Sequence, residues 1–260
     1  MRVTIIGSGN VATHFSAALK NAGHRIMQVY SPNFQNASLL AYHVGAEATS
    51  DLQDITPETD IFIISVKDDA IAEMAEALAK YQKLIVHTSG ATSLDAVRAF
   101  TDYAGVLYPL QTFSKSKEVD FFTVPLCVEG ADESITARLK ELAATISNNV
   151  YSVTSADRKI LHLAAVFACN FPNYLYGVAQ QLLAAHNMKF DMLKPLILET
   201  AQKVQQQYPA NVQTGPAVRN DQLTMNAHLQ LLNHQPQLQE IYYLLSQGII
   251  KNNNEGHGDK

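Results

Sequence analysis

The chain has 260 residues and a formal net charge of −5, from 19 Lys and Arg against 24 Asp and Glu. A hydrophobic content of 47% is enough for a sizeable core, in one large or two ordinary domains. The mildly acidic balance without a basic run argues against nucleic acid as a partner, and no apolar stretch is long enough to span a bilayer.

The first residues already form an apolar strand pattern, Val3-Thr4-Ile5-Ile6, so no leader layout precedes it and a cytoplasmic location is expected. That run enters Gly7-Ser8-Gly9-Asn10-Val11-Ala12, and an amphipathic helical pattern leaves it from Val11 to Ala22, stopping at Gly23. Strand, glycine pair and helix make the layout of a dinucleotide-binding turn. The first glycine allows the tight turn. The second lets backbone approach a pyrophosphate, and small Ala12 lets helix pack on strand. Free N–H groups and the positive helix end then face the phosphates. Gly7, Ser8, Gly9, Asn10 and Val11 are therefore expected to bind the cofactor. A plain strand-turn-helix corner accounts for one glycine, not for the pair.

The second strand, Arg25 to Tyr30, leaves through Ser31-Pro32-Asn33, and no Asp or Glu occurs before Glu47. NAD-selective sites hold the ribose diol with a carboxylate about 20 residues past the glycines. A carboxylate would repel a 2′-phosphate, whereas Ser31 and Asn33 can donate to one. The expected cofactor is NADP, with NAD as the alternative, although no Arg stands nearby in sequence to pair with the phosphate.

Further apolar runs follow at Asp60 to Ser65, Leu84 to His87, Ala104 to Tyr108 and Val124 to Val128. Helical patterns separate most of them, at Ile71 to Leu78, around Leu94 and Val97, and at Glu133 to Ile146. This alternation predicts an α/β Rossmann domain, doubly wound with a mainly parallel sheet, over 1–152. Ligands of such sheets lie outside the carboxyl ends of the strands. That rule selects Val66 and Lys67, then Ser89, then Gln111. Lys67 suits a phosphate or a substrate carboxylate. Ser89 suits the nicotinamide end, or simply caps a turn. Gln111 suits substrate binding, or is an ordinary loop amide.

From 153 to 251 the spacing is helical throughout, which predicts an all-α domain for substrate and dimerisation. Ala156 to His186 reads as one long apolar helix, with Pro172 as a kink or junction. Later helices are expected over Met192 to Gln207, Asp221 to Asn233 and Pro236 to Gln247, and 252–260 as a disordered tail. His162 and Asn170, eight residues apart, come within roughly 80° of one helix face. His162 reads either as a proton donor or as a satisfied core histidine, and Asn170 as an orienting amide. Arg219 either reaches an anionic substrate or pairs with Asp221, whose preferred role is an N-cap. Cys127 and Cys169 sit in apolar segments and read as small core residues. The nine His show no metal-ligand spacing, so no metal is expected.

With these residues in place, the N-terminal half resembles pyrroline-5-carboxylate reductase and the 6-phosphogluconate and 3-hydroxyisobutyrate dehydrogenase group. The whole chain to about Ile250 resembles Rossmann-like NADP oxidoreductases with an uncharacterised helical C-terminal domain. The strings that carry this are the glycine turn, Ser65-Val66-Lys67-Asp68-Asp69-Ala70-Ile71, His87-Thr88-Ser89-Gly90-Ala91 and Tyr108-Pro109-Leu110-Gln111-Thr112-Phe113. Thr214-Gly215-Pro216-Ala217-Val218-Arg219-Asn220-Asp221 is the most specific. Three departures stand out. Tyr108 replaces the usual His, which weakens a catalytic role for that loop. Asn220 replaces a Gly but tolerates the same left-handed backbone. Val166 stands where the hydroxyacid dehydrogenases keep a catalytic Lys, and His162 lies one turn before it.

The expected function is hydride transfer between NADP and a C=N or C=O group of a small, anionic metabolite. His162, Asn170 and Ser89 are the expected catalytic residues; Gln111, Arg219 and Lys67 the expected substrate-binding ones. The resemblance implies a homodimer through the helical domain. The alternative is a non-catalytic NADP(H) sensor, whose cleft can be apolar or closed; an enzyme needs titratable groups there.

Overall fold

In the computed structural model, which describes residues 1–255, the chain divides into two compact units, Met1–Leu175 and Tyr176–Lys260. The first is built on eight strands: β1 (Arg2–Ile6), β2 (Arg25–Tyr30), β3 (Glu47–Thr49), β4 (Ile61–Ile64), β5 (Leu84–His87), β6 (Ala104–Pro109), β7 (Leu126–Gly130) and β8 (Val150–Ser152). Their order across the sheet is β3-β2-β1-β4-β5-β6-β7-β8. All neighbours run parallel except β6 and β7. The chain reverses its order between β1 and β4, which creates the crevice where such sheets bind ligands.

Helices α1 (Asn10–Asn21), α2 (Phe34–Val44), α3 (Ile71–Ala79), α4 (Asp95–Arg98) and α5 (Glu133–Ala144) cover the sheet. Central strands are apolar along their whole length because both faces are covered: Ile61, Phe62, Ile63 and Ile64 are all fully buried. One face packs Phe15 and Leu19 of α1 with Leu139 and Leu142 of α5; the other packs Ile71, Ala75 and Leu78 of α3. The three-residue strands β3 and β8 are too short to carry an alternation that sequence reading could detect.

The long apolar segment is not one regular helix. It is α6 (Ser155–Ala165), a π-helical turn (Val166–Asn170) and α7 (Phe171–Ala185). Pro172 explains the interruption. It has no N–H and its ring clashes with the carbonyl of residue 168 in α geometry, and the wider turn before it removes that conflict. Thr154 starts α6 as an N-cap, its Oγ1 accepting from Asp157 N at 3.2 Å.

The second unit continues with α8 (Lys194–Gln206), the single turn α9 (Pro209–Val212), α10 (Gln222–Leu231) and α11 (Pro236–Glu255). Asp221 caps α10, accepting from Thr224 N at 3.1 Å. The preceding Asn220 adopts the left-handed conformation, φ +50°. The start of the expected tail is corrected: 252–255 are the last turn of α11, and 256–260 lie outside the described residues. A second correction concerns Cys169, which is exposed, whereas Cys127 is buried. Among the described residues no helix is long and apolar enough to cross a membrane.

Candidate active site

At the β1–α1 turn the two glycines serve different ends. Gly7 has φ +121°, and a Cβ there would lie 2.2 Å from the Ser65 carbonyl oxygen at the end of β4. Only glycine meets both the backbone sign and the close approach. Gly9 is the N-cap of α1 in extended conformation, and a Cβ on it would meet nothing within 4 Å. The space beside Gly9 is therefore open and faces the first N–H groups of the helix, as a bound pyrophosphate requires.

A cleft of about 840 Å³ opens there, within the first unit. Residues 7–11 line it at one end, with Ser31 at the exit of β2. Ser8 Oγ donates to Ser31 Oγ at 3.0 Å, so two hydroxyls occupy the place where a NAD-selective carboxylate would sit. Asn33 is not among the lining residues. Its side-chain oxygen accepts from Asn36 N at 3.1 Å, so Asn33 is the N-cap of α2, a role its residue type favours equally.

The exits of β4, β5 and β6 supply the rest of the lining. Val66 and Lys67 follow β4, Ser89 and Gly90 follow β5, and Tyr108 and Gln111 belong to the end of β6 and the loop after it. Ser89 Oγ accepts from Ala91 N at 3.1 Å and Thr92 N at 3.0 Å. It ties the turn together and keeps its own O–H to give. Gln111 uses its side-chain oxygen on Thr112 N at 2.8 Å, leaving its NH₂ group for a ligand.

His162, on α6, also lines the cleft. Its Nδ1 lies 3.1 Å from the Tyr108 hydroxyl. Gly90 makes that meeting possible, since a Cβ there would stand 2.6 Å from His162 Nδ1 and 2.7 Å from Tyr108 Cζ. Burial pushes the Tyr108 hydroxyl up to about 12, with a further push from Cys127 and an opposing pull from Arg158. It is therefore a neutral phenol at physiological pH. Sequence reading discounted Tyr108 for departing from the family residue. Its placement at a strand exit, where ligand groups collect, was the available signal.

The anchor of His162 was also missed. Arg158, one turn earlier on α6, is fully buried. Its guanidinium donates to Glu129 of β7 at 2.5 Å and to the Thr92 carbonyl at 2.6 Å. Glu129 also accepts from Ser155 N and Oγ at 2.9 and 2.7 Å, and Ser155 Oγ accepts from Leu94 N at 2.9 Å. Residues i and i+4 share a helix face, so the network that fixes Arg158 to the β5–α4 loop and β7 also sets His162 over the strand exits.

Two expected site residues lie elsewhere. Asn170 ends the π turn, exposed and outside the cleft lining. Arg219 belongs to the second unit, exposed next to the α10 cap, where its charge helps hold the Asp221 carboxyl below its usual range, after the Thr224 hydrogen bonds. Among the described residues no group of three His, Cys, Asp or Glu could hold a metal.

A Bacteroides fragilis protein assigned as an NADP oxidoreductase is 43% identical, with 96% of this chain and 98% of that one covered and a TM-score of 0.91. The chain belongs to that family of NADP oxidoreductases. A family model described as "NADP oxidoreductase coenzyme F420-dependent" matches residues 2–90, and one described as "Domain of unknown function (DUF2520)" matches 124–249. More distant structures share the fold. An imine reductase from Myxococcus stipitatus in complex with NADP+ is 16% identical, over 99% of this chain and 96% of that one, at TM-score 0.68. A 1-pyrroline-5-carboxylate reductase from Streptococcus pyogenes is 15% identical, over 96% and 98%, at 0.61. Among curated proteins none matches the chain.

Proposed function

We propose that this NADP oxidoreductase reduces a C=N or C=O bond of a small, anionic metabolite, with His162 as proton donor. The observation that carries the reading is the Tyr108–His162 pair, 3.1 Å apart, in the same cleft as the dinucleotide turn. Residues 7–11 and Ser31 would hold NADPH, which would supply the hydride. The reduced nitrogen or oxygen then needs a proton. A protonated imidazole donates from both nitrogens: Nδ1–H to the Tyr108 oxygen, Nε2–H to the substrate. After transfer the neutral imidazole keeps its Nδ1–H and still donates it to the Tyr108 oxygen, so the phenol orients the ring in both states. The high Tyr108 value keeps its own proton in place, which assigns the acid role to the imidazole. Ser89 and Gln111 offer donors to nicotinamide and substrate, and Lys67 offers a cation for the substrate's anionic group. The imine reductase holding NADP+ among the structural neighbours supports C=N as the reducible bond.

A screen of cyclic imines and ketoacids for NADPH oxidation identifies the substrate class. His162→Ala is then expected to lower the single-turnover rate about 10²- to 10⁴-fold, with NADPH affinity little changed. A variant that melts earlier but turns over at the normal rate makes His162 a core histidine and sinks the reading.

The working form is proposed to be a homodimer. Ile160, Leu163, Phe167, Phe171 and Tyr174 are 47 to 68% exposed and recur every three or four residues. They form one apolar stripe along α6, the π turn and α7. A stripe of this size in water marks an interaction surface, and a second copy presents the matching stripe.

A further inference from the structure

The β2 exit offers two hydroxyls to a 2′-phosphate but no cation, and the residues around it in sequence offer none. The fold brings one from 107 residues away: Lys115, in the loop between β6 and β7, donates from Nζ to the Ser8 carbonyl at 3.1 Å. Ser8 is the residue whose Oγ meets Ser31. The ammonium thus meets the main chain of the residue whose side chain makes the hydroxyl pair, from just outside the residues that line the cleft.

Lys115 is exposed, but the loop that carries it is pinned to α1. Asn10 Nδ2 donates to the Phe113 carbonyl at 2.9 Å, and His14 Nε2 lies 2.8 Å from the Ser114 carbonyl. The Phe113 ring stacks between His14, centroids 5.0 Å apart, and buried Phe121, 5.9 Å apart. The two residues before Lys115 are therefore held by side chains of the same helix whose N-terminus faces the pyrophosphate space. An ammonium has three donors and the Ser8 carbonyl uses one, so two remain for a phosphate.

We propose that Lys115 supplies the positive charge that pairs with the 2′-phosphate of NADP and thereby determines cofactor preference. The proposal rests on the NADP reading of the cleft. It places the selectivity cation on the β6–β7 loop, and it makes that loop part of the cofactor site.

The test uses the full chain and titrates NADPH and NADH by fluorescence, for wild type, Lys115→Met and Lys115→Arg. Wild type is expected to prefer NADPH. Lys115→Met should weaken NADPH about tenfold and NADH less than twofold, while Lys115→Arg keeps most of the preference, since a charge-assisted contact to phosphate is lost only in the first. Added salt should weaken NADPH binding in wild type more than in Lys115→Met. NADPH affinity unchanged in Lys115→Met, or NADPH and NADH weakened equally, overturns the proposal. Equal wild-type affinities overturn the NADP reading instead, so the two failures are told apart.

Discussion

The sheet and the helices that follow it solve the burial problem differently. In the sheet the side chains of β4, β5 and β6 are buried throughout, and the covering helices each bury one stripe. From α6 onwards the large apolar residues stay open: Phe167 is 63% exposed, Leu223 84% and Leu231 77%. From Tyr176 on, the buried apolar residues among those described are Ala217, Met225 and Leu232. The first region closes its own core; the second has apolar faces that its own chain does not cover. Their apolar residues alone do not distinguish them, since both parts are rich in Leu and Ala. The difference teaches that the helical part does not bury its apolar faces by its own packing, and the proposed dimer would cover them.

The strongest way to break that comparison is Phe167→Glu. A carboxylate in the middle of the exposed stripe should raise the dimer dissociation constant about 10³-fold or more, the cost of an unpaired charge in an apolar interface. Sedimentation velocity reads it, and NADPH affinity should hold, since the dinucleotide turn lies on the sheet. A wild-type protein that sediments as a monomer would remove the dimer.

A smaller effect sharpens the other side. Arg158→Met removes one partner of the buried pair while Glu129 stays. It should cost about 3 kcal/mol, or roughly 6–12 °C in melting temperature. The double variant Arg158→Met/Glu129→Gln should cost less than the sum of the two single changes. Additive losses would mean that the pair acts as two separate contacts.

The smallest effect, taken per pH unit, is pH dependence. His87, fully buried at the end of β5, is pushed down to about 3, first by burial and then by the charge of Arg158. Its folded value lies below its unfolded one. In the window from about 6.5 down to about 3 the unfolded chain holds one more proton. Stability should therefore fall on acidification, by at most about 1.4 kcal/mol per pH unit from this group. Denaturant melts of His87→Asn across that window should show a shallower slope. An unchanged slope would assign the acid sensitivity to other groups.

Much of the candidate site is legible in the sequence because its lining is local. Gly7 to Val11 are contiguous, and their meaning comes from a strand before and a helix after. Val66, Lys67, Ser89 and Gln111 follow from one rule about strand ends. Asn33 shows where local reading stops: a donor at a strand exit and a helix N-cap are the same residue type in the same place, and only the Asn36 contact separates them. Asn170 shows a different limit. An asparagine in an apolar run reads as a buried orienting amide, but the fold leaves this one exposed at the end of the π turn.

By itself, then, the sequence determined the Rossmann turn, the strand exits, the missing carboxylate at β2 and the helical second half, because each is written in residues that are neighbours along the chain. The tertiary structure alone decided that Tyr108 meets His162, that Arg158 pairs with Glu129, that β7 runs antiparallel, and that Lys115 reaches Ser8. The three side-chain pairings join residues 29 to 107 positions apart. Such distances are closed by sheet order and helix packing, which no local pattern encodes.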